Sequence, residues 1–335
     1  MNQVNKNNCD LQTFGTVVGF REDVKVLDCT VRDGGLINSH HFDDGFVKAV
    51  YATCVAAGIH YMELGYKGSK KIFAPAKYGI WKYCDEDDIR RIVGDNKTGT
   101  KLSVMADVER TDYHTDILPK NKSVIDLIRV ATYIHQIPTA IDMIKDAHDK
   151  GYETTVNLMA VSIVSDKDLY DALELFVTSP VDTIYLVDSF GSFFPKQVRE
   201  MTAKFREIVK GTDKQIGIHA HNNQQLAYAN TIDALIYGAS LLDVTINGMG
   251  RGAGNCPMEL LLGFLKNPRF DLRPVLECIQ KTFVPLRHQM KWGYAIPYMI
   301  GGQLNQHPRA AIEVVEGQHP DDFLAFYDRV IQEES

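Results

Sequence analysis

The sequence predicts a (β/α)8 barrel with a helical extension on its C-terminal side. Eight short apolar runs carry that prediction, most of them followed by an amphipathic stretch, and together they fit into roughly 240 residues, the usual count and length of such a barrel. No GxGxxG follows the first run, which argues against a doubly wound dinucleotide-binding sheet of similar size. The 335 residues are 45% hydrophobic and 24% charged, an ordinary globular balance that is long enough for one large α/β unit.

The elements follow in order. Residues 1–24 are polar and then mildly apolar (TVVGFR) and form an extension. The first strand is KVLDCTVR (25–32), and the helical pattern FDDGFVKAVYATCVAAG follows it. YMELGY (61–66), KLSVMADV (101–108) and SVIDLIRVA (123–131) supply the next three strands. TAIDMIKDAHDKG is helical, ETTVNLMAV (153–161) extended, DKDLYDALELFV helical and DTIYLVDS (182–189) extended. PKQVREMTAKFREIVKG, QIGIHAHN (215–222), QLAYANTIDALIYGA, LLDVTING (241–248) and CPMELLLGFLKN (256–267) complete the alternation. Several helical patterns close on a glycine, which suits the left-handed residue that ends a helix. The barrel domain therefore spans 25–267, and 268–335, too short for an independent domain, is expected to pack on it as a helical lid or interface.

Composition narrows the function classes. A net charge of −7 argues against nucleic-acid or anionic-membrane partners. Six scattered cysteines with no CxxC pair read as reduced thiols of a cytoplasmic protein. No signal-peptide core and no run approaching the ~18 apolar residues of a membrane span is found.

The working groups of a barrel sit where its strands end. Those ends carry Arg32, Asp33, Glu63, Asp107, Arg129, Asn157, Asp188, Ser189, His219, His221 and Asn247. In IHAHN, alternation puts His219 and His221 on one face with Gly217, and Ile216, Ile218 and Ala220 on the other. Two inward imidazoles either share a divalent metal or line a pocket as hydrogen-bonded polar groups. In TVRDGG, Asp33 either adds a carboxylate to such a site, with Arg32 steadying an oxyanion beside it, or pairs with Arg32 to staple a turn. Gly34 and Gly35 permit a tight turn or a close backbone approach. The loop NGMGRGAGN (247–255) offers amides to a carboxylate or phosphate, or is turn geometry alone.

Taken together, LDCTVRDGG, IHAHNN and GMGRGAGNCPMEL resemble the signatures of the DRE-TIM metallolyase superfamily, and VDSFGSFFPKQV resembles its sixth-strand segment. That superfamily includes hydroxymethylglutaryl-CoA lyase, the isopropylmalate and homocitrate synthases and 4-hydroxy-2-oxovalerate aldolase. The resemblance implies that Asp33, His219 and His221 ligate a divalent metal, with Asn255 as a further ligand and Arg32 stabilising an enolate. It implies Mn²⁺, with Mg²⁺, Co²⁺ or Zn²⁺ as alternatives. WGYAIPYMIGGQLNQHPRAA (292–311) resembles the GYAxxY region of the aldolases, which favours that branch and brings Tyr294 and Tyr298 to the site.

The expected activity is cleavage of a carbon–carbon bond through the enolate of a 2-oxo acid such as pyruvate, with an aldehyde as partner. A Claisen-type synthase or lyase working on an acyl-CoA, and a non-catalytic metal-binding barrel, are the alternatives. Glu63, Asn157, Asp188, Ser189, Gly252 and Tyr298 are expected to bind substrate. Departures from the family pattern concern the base. The aldolase histidine three residues beyond the metal aspartate is Leu36 here, the synthase glutamate is Gly35, and the lyase loop lacks its cysteine, with Cys256 just beyond it. His41, and next to it His40, are the expected replacements, unless the pair only caps the first helix. Lys67, Lys70 and Lys71 either meet an anionic substrate or lie in a solvated loop that Trp81 and Tyr83 pack. A homo-oligomer formed through the C-terminal helices is expected.

Overall fold

A computed structural model describes residues 21–334, so residues 1–20 of the expected N-terminal extension lie outside the described residues. Strands β1 (Lys25–Asp28), β2 (Tyr61–Tyr66), β3 (Lys101–Asp107), β4 (Leu127–Thr132), β5 (Glu153–Leu158), β6 (Thr183–Asp188), β7 (Gln215–Ala220) and β8 (Leu241–Val244) pair in parallel and in sequence order. β8 pairs with β1 and closes the barrel. The expected (β/α)8 barrel is therefore the observed fold.

Local chemistry explains the helices. In Asp166–Thr178 the Ser165 side chain accepts a hydrogen bond from the Asp168 amide and caps the first turn. Leu169, Ala172, Leu173 and Phe176 then recur at helical spacing and form its buried face. Asp43 caps Asp44–Ala56 in the same way, through the Phe46 amide. The outward residues of the strands, such as Ile216, Ile218 and Ala220 of β7, join the helix-side core.

Inside the barrel the layers differ in chemistry. Leu27, Tyr61 and Leu127 form an apolar floor, and Tyr66, Met105 and Ala131 form another apolar cluster further along the strands. Buried Glu63, Arg129, His219 and Asp243 occupy the interior as well. A register shift between Glu63 and Tyr66 lets two residues three apart both turn inward. It is built on Gly65, where a Cβ would overlap the Trp81 carbonyl oxygen.

The structure shortens several of the expected strands, including 123–131, 153–161 and 241–248, and most consequentially the first. The first strand stops at Asp28, and Thr30–Gly34 is a helical turn. The Thr30 hydroxyl donates to the Asp28 carboxylate and accepts the Ile246 amide, which fixes the turn over β8. Beyond the helix Met258–Leu265, the helices Ile296–Gln303, Arg309–Glu316 and Phe323–Glu334 share a small apolar cluster with Ala253 of the loop after β8. No helix among the described residues is long and apolar enough to cross a membrane.

Candidate active site

The helical turn after β1 points Arg32 and Asp33 into the barrel, where both are buried. Arg32 donates from Nη1 to Asp33 Oδ2 (2.7 Å) and from Nε to Glu63 Oε2 (2.7 Å). Glu63 Oε2 also accepts from Arg129 Nη1 (2.9 Å), and Arg129 Nη2 donates to Asp243 Oδ2 (2.5 Å). Asp243 Oδ2 lies 2.9 Å from His219 Nδ1, and His219 Nε2 lies 3.4 Å from Asp33 Oδ2. These contacts close a ring of six buried side chains from β2, β4, β7, β8 and the β1 turn. With His219 neutral, three carboxylates face two guanidiniums and leave one net negative charge.

That residual charge and the free atoms around it suit a divalent cation. Asp33, His219 and His221 each offer a ligand atom, all within 4.8 Å of one another. His219 Nε2 and Asn255 Oδ1 are buried with no hydrogen-bond partner among the described residues. Asp243 on Nδ1 makes Nδ1 the donor and leaves the Nε2 lone pair free, the usual second partner of a metal-binding histidine. Asn255 bridges to His221 through the backbone, and its side chain lies with Asp33 against Gly250. The donor set, two imidazoles with a carboxylate and an amide oxygen, fits a transition-type divalent metal better than an all-oxygen ion.

Electrostatics keep the carboxylate ready. Burial alone would raise Asp33, but Arg32 and the two histidines hold it well below the usual carboxylate range. Burial would likewise raise Asp243, and Arg129 with His219 brings it down to about 2. Burial, helped by Arg251, pushes His221 well below the ordinary imidazole value, which keeps its ring neutral. For His219, burial lowers the pKa, while Asp243 and Asp33 more than offset it.

The glycine-rich loop does offer an amide to a carboxylate, and the carboxylate is the protein's own. The Arg251 N–H donates to Asp33 Oδ1 (2.8 Å), while Arg251 Nη2 donates to the Ser189 carbonyl (3.0 Å).

The two expected histidines separate. Ser39 and His40 both adopt left-handed backbone, and the His40 amide donates to the Gly35 carbonyl (2.7 Å). This turn buries the His40 ring over Gly35, where a Cβ would overlap Nδ1, so the second glycine of TVRDGG seats a histidine. His40 Nδ1 has no partner among the described residues, and its ring meets Tyr66 edge-on at 5.3 Å. Burial, then Lys82 and Arg32, push its pKa down to about 3. His41, the favoured base from sequence, is exposed, with Nε2 3.3 Å from the Lys77 carbonyl. The structure brings His40 to the site and leaves His41 outside it.

Other expected residues also divide. Asn157 is buried on β5 and accepts from Thr155 Oγ1 (3.0 Å). Asp188 spends its carboxylate on the amides of Ser192 (2.9 Å) and Phe193 (3.3 Å), and Ser189 Oγ accepts the Ala160 amide (2.9 Å); both brace loops. Tyr298 is buried and its ring packs on Gly252, whereas Tyr294 is 57% exposed. Asn247 turns outward to Arg287 Nη2 (3.2 Å). Lys67 is buried and donates to the Cys84 carbonyl (2.6 Å), while Lys70 and Lys71 are surface partners of Asp85 and Asp112. Asp243 and Lys82 were not singled out from sequence. Their signals are the inward alternation of LLDVTING for Asp243 and, for Lys82, a position between two aromatics in WKY.

The chain resembles known proteins in sequence and fold. The HMGL-like family model matches residues 23–278. Oxaloacetate decarboxylase of Mycobacterium tuberculosis is 31% identical over 246 residues, covering 72% of this chain and 69% of that protein. The 4-hydroxy-2-oxovalerate aldolase of Moorella thermoacetica is 27% identical over 292 residues, covering 83% and 82% respectively. The crystal structure of the N-terminal domain of a candidate aldolase from Bacteroides vulgatus superposes with a TM-score of 0.79 at 29% identity, covering 92% of this chain and 100% of that one. With three quarters of its length matched by the family model, the chain belongs to the HMGL-like family.

Proposed function

We propose that this chain is a divalent-metal-dependent carbon–carbon lyase that works through the enolate of a 2-oxo acid such as pyruvate, in the manner of the 4-hydroxy-2-oxovalerate aldolases. One observation carries the reading: the Asp33–His219–His221 cluster stands beside Arg32, whose Nη2 is buried and has no partner among the described residues. A divalent metal bound there, Mn²⁺ before Co²⁺, Zn²⁺ or Mg²⁺, supplies Lewis acidity toward the carboxylate and keto oxygens of the 2-oxo acid.

The protein's own groups supply the rest. Glu63 and Asp33 fix two guanidinium nitrogens of Arg32 and aim the third as a preorganised donor for the oxyanion of the enolate. His40, whose Nδ1 has no partner among the described residues, is placed to move the proton that aldol cleavage or enolate protonation requires. Arg129 and Asp243 hold His219 in its ligating tautomer. Tyr298 and Gly252 border the substrate side. A cytoplasmic homo-oligomer formed through the C-terminal helices belongs to the same reading. Leu324, Tyr327 and Ile331, spaced on one face of the last helix, are exposed and support that arrangement.

A second reading, decarboxylation of oxaloacetate, is supported by the relative at 31% identity and needs the same enolate. The test is incubation with Mn²⁺ and pyruvate in D₂O, following methyl-proton exchange by NMR, then assay of pyruvate release from 4-hydroxy-2-oxovalerate and from oxaloacetate. Exchange supports the enolate chemistry, and the two release assays separate the readings. Absence of all three activities contradicts both.

A further inference from the structure

Lys82 is a largely buried lysine that the site described above does not use. It ends the 3₁₀ turn Ile80–Lys82, in the loop joining β2 to the helix Glu86–Val93, and is 5% exposed. Its Nζ lies 4.0 Å from the ring centroids of both Tyr66 and Phe73. Among the described residues it has no ion pair and no hydrogen-bond acceptor. The other lysines of the same loop do have partners: Lys67 donates to the Cys84 carbonyl, Lys70 pairs with Asp85 and Lys71 with Asp112. The nearest acidic influence on Lys82 is Asp107 at the end of β3, beyond ion-pair distance.

Holding an ammonium in so enclosed a place without an ion pair carries a desolvation cost, which two aromatic faces offset only in part. A side chain needed only to fill that space would be apolar. The ammonium is also at the mouth of the site. Tyr66 touches the His40 ring and the Lys82 ammonium together, and Lys82 and Arg32 both depress His40. The chelating end of a 2-oxo acid is accounted for by the metal ligands and Arg32, so Lys82 faces what the substrate carries beyond that end. An ammonium with no acidic partner, near the guanidiniums of Arg110 and Arg32, matches a carboxylate.

We propose that Lys82 is a specificity-determining residue that binds a second carboxylate on the part of the substrate remote from its 2-oxo acid end. This rests on the lyase reading above and narrows its substrates to those carrying a further acid group. The test compares two probes of equal chain length, 2-oxoglutarate and 2-oxopentanoate, which differ in having a distal carboxylate or a methyl group. Each is titrated calorimetrically into Mn²⁺-loaded wild type, Lys82→Met and Lys82→Arg. Wild type is expected to prefer 2-oxoglutarate by about ten- to a hundredfold, the worth of one charge-assisted hydrogen bond. Lys82→Met is expected to lose that preference while its affinity for 2-oxopentanoate changes less than about twofold, and Lys82→Arg to keep part of it.

Equal binding of the two probes by wild type, or a loss in Lys82→Met that falls equally on both, overturns the assignment. The wild-type comparison and Lys82→Arg decide the matter even if Lys82→Met does not fold. Failure of the lyase reading shows separately, as absence of pyruvate methyl exchange in the wild type.

Discussion

Replacing Asp243 by Asn tests whether the buried ring tunes the metal site. Asp243 Oδ2 is 2.9 Å from His219 Nδ1 and 2.5 Å from Arg129 Nη2, and all three side chains are buried. Asn keeps the shape but removes the charge that fixes the histidine tautomer and balances Arg129. A hydrogen bond to a charged group is worth about 1.5–3 kcal/mol, which corresponds to a ten- to hundredfold loss of metal affinity. The ring also changes from one net negative charge to none, which acts in the same direction. Breaking the Arg129 pair lowers folding stability by about 3–5 kcal/mol, so binding is measured well below the melting temperature, with circular dichroism confirming the fold. The assay is Mn²⁺ titration of the metal-stripped protein, by electron paramagnetic resonance or calorimetry. Glu63→Gln is the control: it removes the same charge from the same ring without touching His219. A much smaller effect is expected there. If Asp243→Asn binds Mn²⁺ within about threefold of wild type, or no more weakly than Glu63→Gln, the tautomer argument is refuted.

Three further outcomes follow from the same geometry. Arg32→Lys keeps a cation but loses the planar fork held by Glu63 and Asp33, so turnover should fall by about 10²–10³ with metal content retained; near-normal turnover would show that Arg32 only braces the turn. His40→Asn should slow pyruvate proton exchange, while His41→Asn, altering an exposed ring at the Lys77 carbonyl, should leave it near the wild-type rate; the reverse pattern in the NMR assay would return the base to His41. Burial raises Asp28 from 3.8 to about 7, so between those values the folded chain holds a proton that the unfolded chain has released. Stability should therefore fall as pH rises through that window, by at most about 1.4 kcal/mol per pH unit for this group. Asp28→Asn should remove that share in pH-dependent urea melts, leaving the share of Asp188, which burial also raises to about 7. An unchanged pH slope would exclude Asp28 as the source.

Much of this was legible because the strand period carries it. IHAHN places two imidazoles on one face by alternation alone, and the structure keeps Ile216, Ile218 and Ala220 on the opposite, helix-packed face. Thr30 and Val31 continue the apolar run of the first strand in sequence, yet the strand ends at Asp28. What ends the strand is nonlocal: the Thr30 hydroxyl takes the Ile246 amide from across the chain. Asp243 could have been found by the same alternation that found His219, but a single aspartate between leucine and valine gives no hint of Arg129, 114 positions away. The choice between His40 and His41 turned on two left-handed residues and on the space above Gly35, neither of which a residue pattern encodes. Lys82 stood among aromatics already read as packing, and its missing partner is visible only when its neighbours are in place.

Asp33, His219 and His221 are proposed to hold a metal beside Arg32, and this site to form an enolate. The most direct measurement is deuterium incorporation into the pyruvate methyl group, with metal content by elemental analysis, for wild type and for the His219→Ala/His221→Ala variant under saturating Mn²⁺. One metal per chain and metal-dependent exchange are expected in the wild type, and neither in the variant, whose circular dichroism should still report a folded barrel. Full metal content in the variant, or exchange that persists without these imidazoles, would contradict that assignment.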